Sequence, residues 1–242
     1  MTMTRVFSRR AVCAAALMIV PAVMAAAFQL QPMSATIELD GSTPTTTFEV
    51  SNATDQPVAV QMRTTTREIL PDGTELNDDA SNELQLFPSQ LILRPGQQQT
   101  VRVRWTGQGT PERELSYRVV AEQLPINLDR TADSESGVRM MLRYRATLYV
   151  RPPGAAADLV VRDLQADGDT LTLTVENTGT AHRLLADGAL VLIADGERTE
   201  MRAEEVDPLV TVNVLPGGTR RVSIPLDALP VAPDEISFRF DR

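Results

Sequence analysis

The chain has 242 residues and a formal net charge of −9, with 32 Asp and Glu against 23 basic residues, every one of them Arg. So acidic a chain suits neither nucleic acid nor an anionic membrane surface. One Cys and one His leave little for disulfides, thiol chemistry or a zinc centre.

Residues 1–27 read as an export signal peptide. Arg5, Arg9 and Arg10 form a basic head, residues 11–20 a short apolar middle, and Ala25-Ala26-Ala27 a small-residue end. The middle is too short for a membrane span, and no second long apolar run follows, which argues against membrane insertion. "SRRAVCAA" resembles a twin-arginine signal, with Val12 where Phe is more usual, so the general and twin-arginine routes both stay open. Cys13 lies inside the apolar middle, directly behind the arginine pair, which argues against a lipoprotein. Cleavage removes the only Cys. What remains is a soluble, exported, periplasmic chain of about 215 residues, enough for one large domain or two of about 100.

From residue 28 the pattern is that of strands and turns. "TTTFEVSN", "VAVQMRTTTREI", "QTVRVRWTG", "LSYRVVAEQL", "LTLTVEN" and "ALVLIADGE" alternate or form short β-branched runs. Turn signals separate them: "PDG" at 71–73, "PG" at 95–96, "DG" at 167–168, 187–188 and 195–196, and "PGG" at 216–218. Many short strands at this spacing predict an antiparallel sandwich or barrel. "LPDGTELNDDASNEL" (70–84) and "NLDRTADSESG" (127–137) are polar enough to be surface loops.

The chain also repeats itself. "FEVSNAT" at 48–54 parallels "LTVENTG" at 173–179, and Pro95-Gly96 before "TVRV" parallels Pro216-Gly217 before "RRVSI". Either two β segments are alike by chance, or two sandwiches follow one another, and the second reading is favoured. "RPPGAAAD" (151–158) marks the joint, because Pro ends a sheet ladder and Gly with small residues makes a connection. The domains then run over 28–152 and 158–242.

Catalytic chemistry finds little support. His182 follows the "ENTGTA" turn and reads as an exposed loop residue without a second His or a nucleophilic Cys. Glu204, Glu205 and Asp207 do not match a calcium loop and read as a solvated turn. No phosphate-binding glycine loop, G-x-S-x-G or H-E-x-x-H occurs. The chain is not expected to be an enzyme or to need a cofactor.

The stretch "GVRMMLRYRATLYVRPPG" (137–154) stands apart. Val138, Met140, Leu142, Tyr144, Ala146, Leu148 and Val150 hold every second position, and Arg139, Arg143, Arg145 and Arg151 lie on the opposite parity. A core strand with a solvated outer face explains most of this. Large apolar residues so close to a polar loop go further, and suggest an exposed edge. Such an edge aggregates unless a partner strand covers it, and β-strand addition is the recognised use.

In order and spacing, "FEVSN", "LFPSQLILRPGQQQTVRVRW", "ELSYRVVAEQLP" and "MLRYRATLYVRP" resemble the first domain of the PapD-like periplasmic chaperones of the chaperone–usher pilus pathway. The resemblance implies an all-β chain of two immunoglobulin-like β-sandwich domains in tandem. It implies a role in fimbrium biogenesis, with two partners: pilin-like subunits stabilised by donor-strand complementation, and an outer-membrane usher. Val138, Met140 and Leu142 would be the donor side chains, with Tyr144 a fourth. The best-studied members anchor the subunit's C-terminal carboxylate with an Arg and a Lys where this chain has Thr36 and Thr147. "ELSYRVVAEQLP" and "MLRYRATLYV" are closer to the archaic, spore-coat-U-type branch, which implies Arg118 as anchor, with Arg143 beside it and Arg145 as the alternative. The apolar stripe is expected to supply most of the affinity and the arginines the register. A second copy of the chain is another cover for the same edge. The competing readings are an exported tandem immunoglobulin-like structural or adhesive module, and a chaperone-like protein that has lost its subunit.

Overall fold

The computed structural model of the protein describes residues 28–41, 43–80, 82–125 and 141–240. Among these the first part of the chain supplies β1 (Phe28–Gln31), β2 (Ser34–Glu38), β3 (Thr45–Asn52), β4 (Val58–Thr66), β5 (Glu68–Ile69), β6 (Glu75–Leu76), β7 (Leu84–Phe87), β8 (Gln90–Leu93), β9 (Gln98–Trp105), β10 (Leu115–Gln123) and β11 (Arg143–Arg151). Two sheets form, in the orders β1-β3-β9-β7 and β2-β11-β10-β4-β8, while β5 and β6 pair as a separate hairpin. The alternation in sequence becomes the two faces of each strand: Val101, Val103 and Trp105 of β9 are buried, and Arg102 and Arg104 between them are exposed. Phe28, Phe48, Val60, Leu93, Tyr117, Val119 and Leu148 belong to the core between the sheets, and each apolar one stabilises the sandwich by about 1.5–3 kcal/mol.

A second set of strands follows: β12 (Leu159–Asp167), β13 (Thr170–Asn177), β14 (Arg183–Leu184), β15 (Ala189–Ala194), β16 (Glu197–Arg202), β17 (Asn213–Val214), β18 (Thr219–Pro225) and β19 (Glu235–Arg239). Their sheets run β12-β13-β18, β16-β15-β19 and β14-β17. They enclose a separate core that includes Leu171, Leu173, Leu190, Leu192, Val222 and Ile224. The chain is thus all-β, with two immunoglobulin-like sandwiches. Among the described residues the only helices are short 3-10 turns.

The sequence repeat is a repeated piece of structure. Buried Asn52 donates through Nδ2 to the carbonyls of Gln56 and Leu93, and its own carbonyl accepts from Gly96 N–H. Asn177 does the same with Ala181, Val214 and Gly217. In both sandwiches the Asn at a strand end ties the following turn to the strand before the Pro-Gly turn. The spacing is kept because one side chain satisfies the same two carbonyls.

Two expectations change. The segment 70–84 is not only a loop, since it contains the turn and the second strand, β6, of the β5–β6 hairpin. Asp187-Gly188 is not a tight turn either: Gly188 has extended backbone after a 3-10 turn (Leu185–Asp187). It is Gly because a Cβ there would lie 2.5 Å from the Phe240 ring.

Candidate functional site

The site is built on β11 and changes character along its length. Tyr144, Ala146, Leu148 and Val150 face the core, where the Tyr144 ring meets Phe28 edge-on at 4.9 Å and 81°. Leu142, just before the strand, packs half-buried against the same core and accepts from Gln123 N–H. Val138 and Met140, the other expected donor residues, lie outside the described residues. Met141 is 60% exposed.

Pairing also differs between the two ends. β10 runs antiparallel to β11 from Leu115↔Val150 to Glu122↔Arg143, but β2 runs beside it only from Thr147 to Arg151. Thr147 N–H donates to Met33 O at 2.9 Å on the β2 side. Backbone groups alternate in direction along a strand, so those of Arg145 and Arg143 face that side too. Among the described residues no strand pairs with them there. A stretch of open edge therefore continues a well-built sheet.

On the outer face of the same sheet, Arg118 of β10 stands directly opposite Thr147 of β11. Its NH1 donates to Thr147 Oγ1 at 2.5 Å, and its Nε and NH2 grip the Glu75 carboxylate at 2.9 and 2.5 Å. Arg67 donates through Nε to Glu75 Oε2 at 3.0 Å, and Arg145 through NH2 to Oε1 at 2.6 Å. Three guanidinium groups thus converge on one carboxylate. Burial pushes the Glu75 carboxyl up, but hydrogen bonds and charge from Arg118 and Arg67 outweigh it and hold the group down at about 2. Arg143 stands apart, paired with Glu122 at 2.5 Å near Arg63. The structure therefore brings Arg118 and Arg145 together and leaves Arg143 outside. Arg67 and Glu75 were not legible as site residues. The one clue was the "PDG" turn, whose tight return sets Glu75 opposite Ile69 and beside Arg67.

Residues 29–156 match the family model for the pili and flagellar-assembly chaperone, PapD N-terminal domain. The chain belongs to this chaperone family. Its fold is also that of solved chaperone structures. The class 5 fimbriae chaperone CfaA is 14% identical, with a TM-score of 0.56 over 80% of this chain and 84% of its own. A chain of the CsuC–CsuE chaperone–tip adhesion subunit pre-assembly complex, from archaic chaperone–usher Csu pili of Acinetobacter baumannii, is 18% identical, with a TM-score of 0.54 over 81% and 89%. A chain of the SafA pilin–SafB chaperone complex from Salmonella enterica is 19% identical, with a TM-score of 0.52 over 82% and 84%. None of the curated protein sequences compared with the chain matches it.

In this chaperone the far end of β11 holds the second sandwich. Tyr149 is buried, its hydroxyl accepting from Asn213 Nδ2 at 2.7 Å and from Arg67 NH1 at 3.2 Å. Its ring stacks on His182 with centroids 3.6 Å apart and 7° between planes. His182 is therefore not an exposed loop residue, as its position after a turn suggested. Its Nδ1 lies 2.5 Å from Glu114 Oε1, and its backbone N–H donates to the same oxygen at 3.0 Å. Arg151 Nε donates to the other oxygen at 2.6 Å, and the Glu114 side chain is 0% exposed. Burial raises the Glu114 carboxyl, yet His182 and Arg151 bring it below its usual range. Glu204, Glu205 and Asp207 are exposed, and no group of metal-ligating side chains occurs among the described residues.

Proposed function

We propose that this chaperone binds a pilin-like subunit in the periplasm by donor-strand complementation and hands it to an outer-membrane usher. Residues 1–27 serve as the cleaved signal peptide, 28–152 as the chaperone domain and 158–242 as the second domain. Val138, Met140 and Leu142 fill the subunit's groove. Tyr144, already packed on Phe28, marks where the donor stripe gives way to core. The observation that carries this reading is the open edge at Arg143–Ala146, where β11 pairs with β10 on one side only. A subunit strand added there extends a sheet whose geometry is already set. Three donor side chains at about 1.5–3 kcal/mol each outweigh one carboxylate anchor at about 1.5–3 kcal/mol.

Arg118 is the anchor for the subunit's C-terminal carboxylate, with Arg145 the nearer of its two candidate companions and Arg143 the more distant. Thr36 and Thr147, which stand where the best-studied members have Arg and Lys, support membership of the archaic branch, and an anchor on β10 fits the same reading. The test is co-expression with a candidate pilin-like subunit in the periplasm, followed by purification. Replacing both Met140→Asp and Leu142→Asp should abolish the complex while the free protein stays folded. Retention of the subunit would overturn the donor-strand reading and favour a structural or adhesive module.

A further inference from the structure

A carboxylate has roughly four acceptor positions, and the arrangement around Glu75 uses four. Arg118 supplies two donors, and Arg67 and Arg145 supply one each. While Glu75 stays, the Nε–NH2 face of Arg118 is taken, and a subunit terminus cannot pair with it in that bidentate way. We propose that Glu75 is a resident stand-in for the subunit's C-terminal carboxylate, that Arg67 joins Arg118 and Arg145 as its receptor, and that the β5–β6 hairpin lifts away when the subunit arrives. This rests on the donor-strand reading for the identity of the incoming carboxylate, and adds to it a third arginine and an exchange step.

The hairpin is built to move at modest cost. Its two strands are two residues each, and neither Ile69 nor Leu76 belongs to the core; Leu76 is 45% exposed. Polar contacts hold it instead. Leu70 N–H donates to Thr74 O, Thr74 N–H to Asp72 Oδ1, and Arg221 N–H of the second sandwich donates to Pro71 O at 2.7 Å. The base is fixed, since Thr66 N–H donates to Asp78 O at 2.8 Å, so the tip swings about it. Gly73, at φ +92°, brings the tip against Arg220, and a Cβ there would sit 2.9 Å from NH2 of that side chain. Removing one carboxylate from three guanidinium groups leaves a strongly cationic, half-sheltered pocket, with side-chain exposures of 9, 17 and 45% for Arg67, Arg118 and Arg145. An incoming terminal carboxylate restores the same bidentate pairing. The exchange releases one pairing as it makes another, so anchoring adds less affinity than an unopposed pair would, and it also reports that a chain terminus is in place. The Arg221–Pro71 bond carries that report to the second sandwich.

The test titrates sodium acetate, at constant ionic strength, into the 15N-labelled protein while following the Arg67 and Arg118 Nε–H resonances. Glu75→Gln should saturate at an acetate concentration at least tenfold lower than wild type, and adding Arg118→Ala should remove the response. Equal acetate dependence in wild type and Glu75→Gln overturns the proposal. A second measurement needs no variant. In the purified subunit complex the Arg221 amide should exchange at least tenfold faster than in the free protein, and unchanged protection overturns the exchange step. The two readings fail separately. If the Met140→Asp, Leu142→Asp protein keeps its subunit while Glu75→Gln gains acetate affinity, donor-strand binding fails and the three-arginine receptor stands. If subunit capture needs those residues but Glu75→Gln gains nothing, only the stand-in fails.

Discussion

Glu75 and Glu114 are both carboxylates gripped by cations, and both titrate below their usual range, yet their settings differ. Glu114 is sealed between the two sandwiches, with His182, Arg151 and a backbone N–H each satisfying part of it. Glu75 sits on a two-residue strand at the sheet surface, held by arginines from β10, β11 and the link between β4 and β5. A sealed pair cannot be opened without leaving an uncompensated buried charge. A pair on a lightly anchored hairpin can be exchanged. The first belongs to the architecture and the second to binding.

That distinction is broken most readily at Glu114. Glu114→Ala removes the hydrogen bonds of Arg151, the His182 ring and the His182 N–H, although Arg151 keeps Glu38 at 3.5 Å, and should cost about 3 kcal/mol in a denaturant unfolding series. Glu75→Gln should cost clearly less in the same series. Equal losses would erase the contrast between the two sites.

Next in size is the effect on capture. Arg118→Ala should weaken subunit binding by about tenfold or more, whereas Arg94→Ala, at the Pro-Gly turn distant from β11, should not change it. Arg143→Ala, which removes an exposed pair with Glu122, should have an effect of no more than about twofold. Pull-down titration against one subunit measures all three. Equal effects of Arg118→Ala and Arg143→Ala would contradict Arg118 on β10 as the main anchor.

The smallest effect is that of pH. The folded Glu75 carboxyl is depressed to about 2 from an ordinary value of 4.5. Its contribution is therefore complete above the unfolded value and is lost as pH falls through the folded one. The stability difference between wild type and Glu75→Gln should shrink between about pH 5 and pH 2. A difference that is flat over that window would show the arginines do not hold the charged form.

The strands were legible because side-chain burial has period two, so β3, β9, β10 and β13 appear directly in the alternation of Phe48, Val101, Tyr117 and Leu173 with polar neighbours. The tandem architecture was legible in Asn52 and Asn177, since one side chain must reach the same two carbonyls in each copy. The arginine partners were not, because they depend on strand register. Sequence parity sets Arg143 and Arg145 on one face, but only the pairing of Arg118 with Thr147 decides which lies nearer. Glu75 reaches Arg118 over 43 residues of chain through a hairpin that local polarity presents as a loop. His182 looks exposed from its turn and is half-buried because the second sandwich docks on Tyr149.

Amide hydrogen exchange at Arg143 and Arg145 tests the central claim most directly, comparing the free protein with its subunit complex. Both amides should exchange quickly in the free protein and become strongly protected in the complex, as a subunit strand pairs along the open edge. A stable complex in which both amides exchange as fast as before would contradict donor-strand binding on β11.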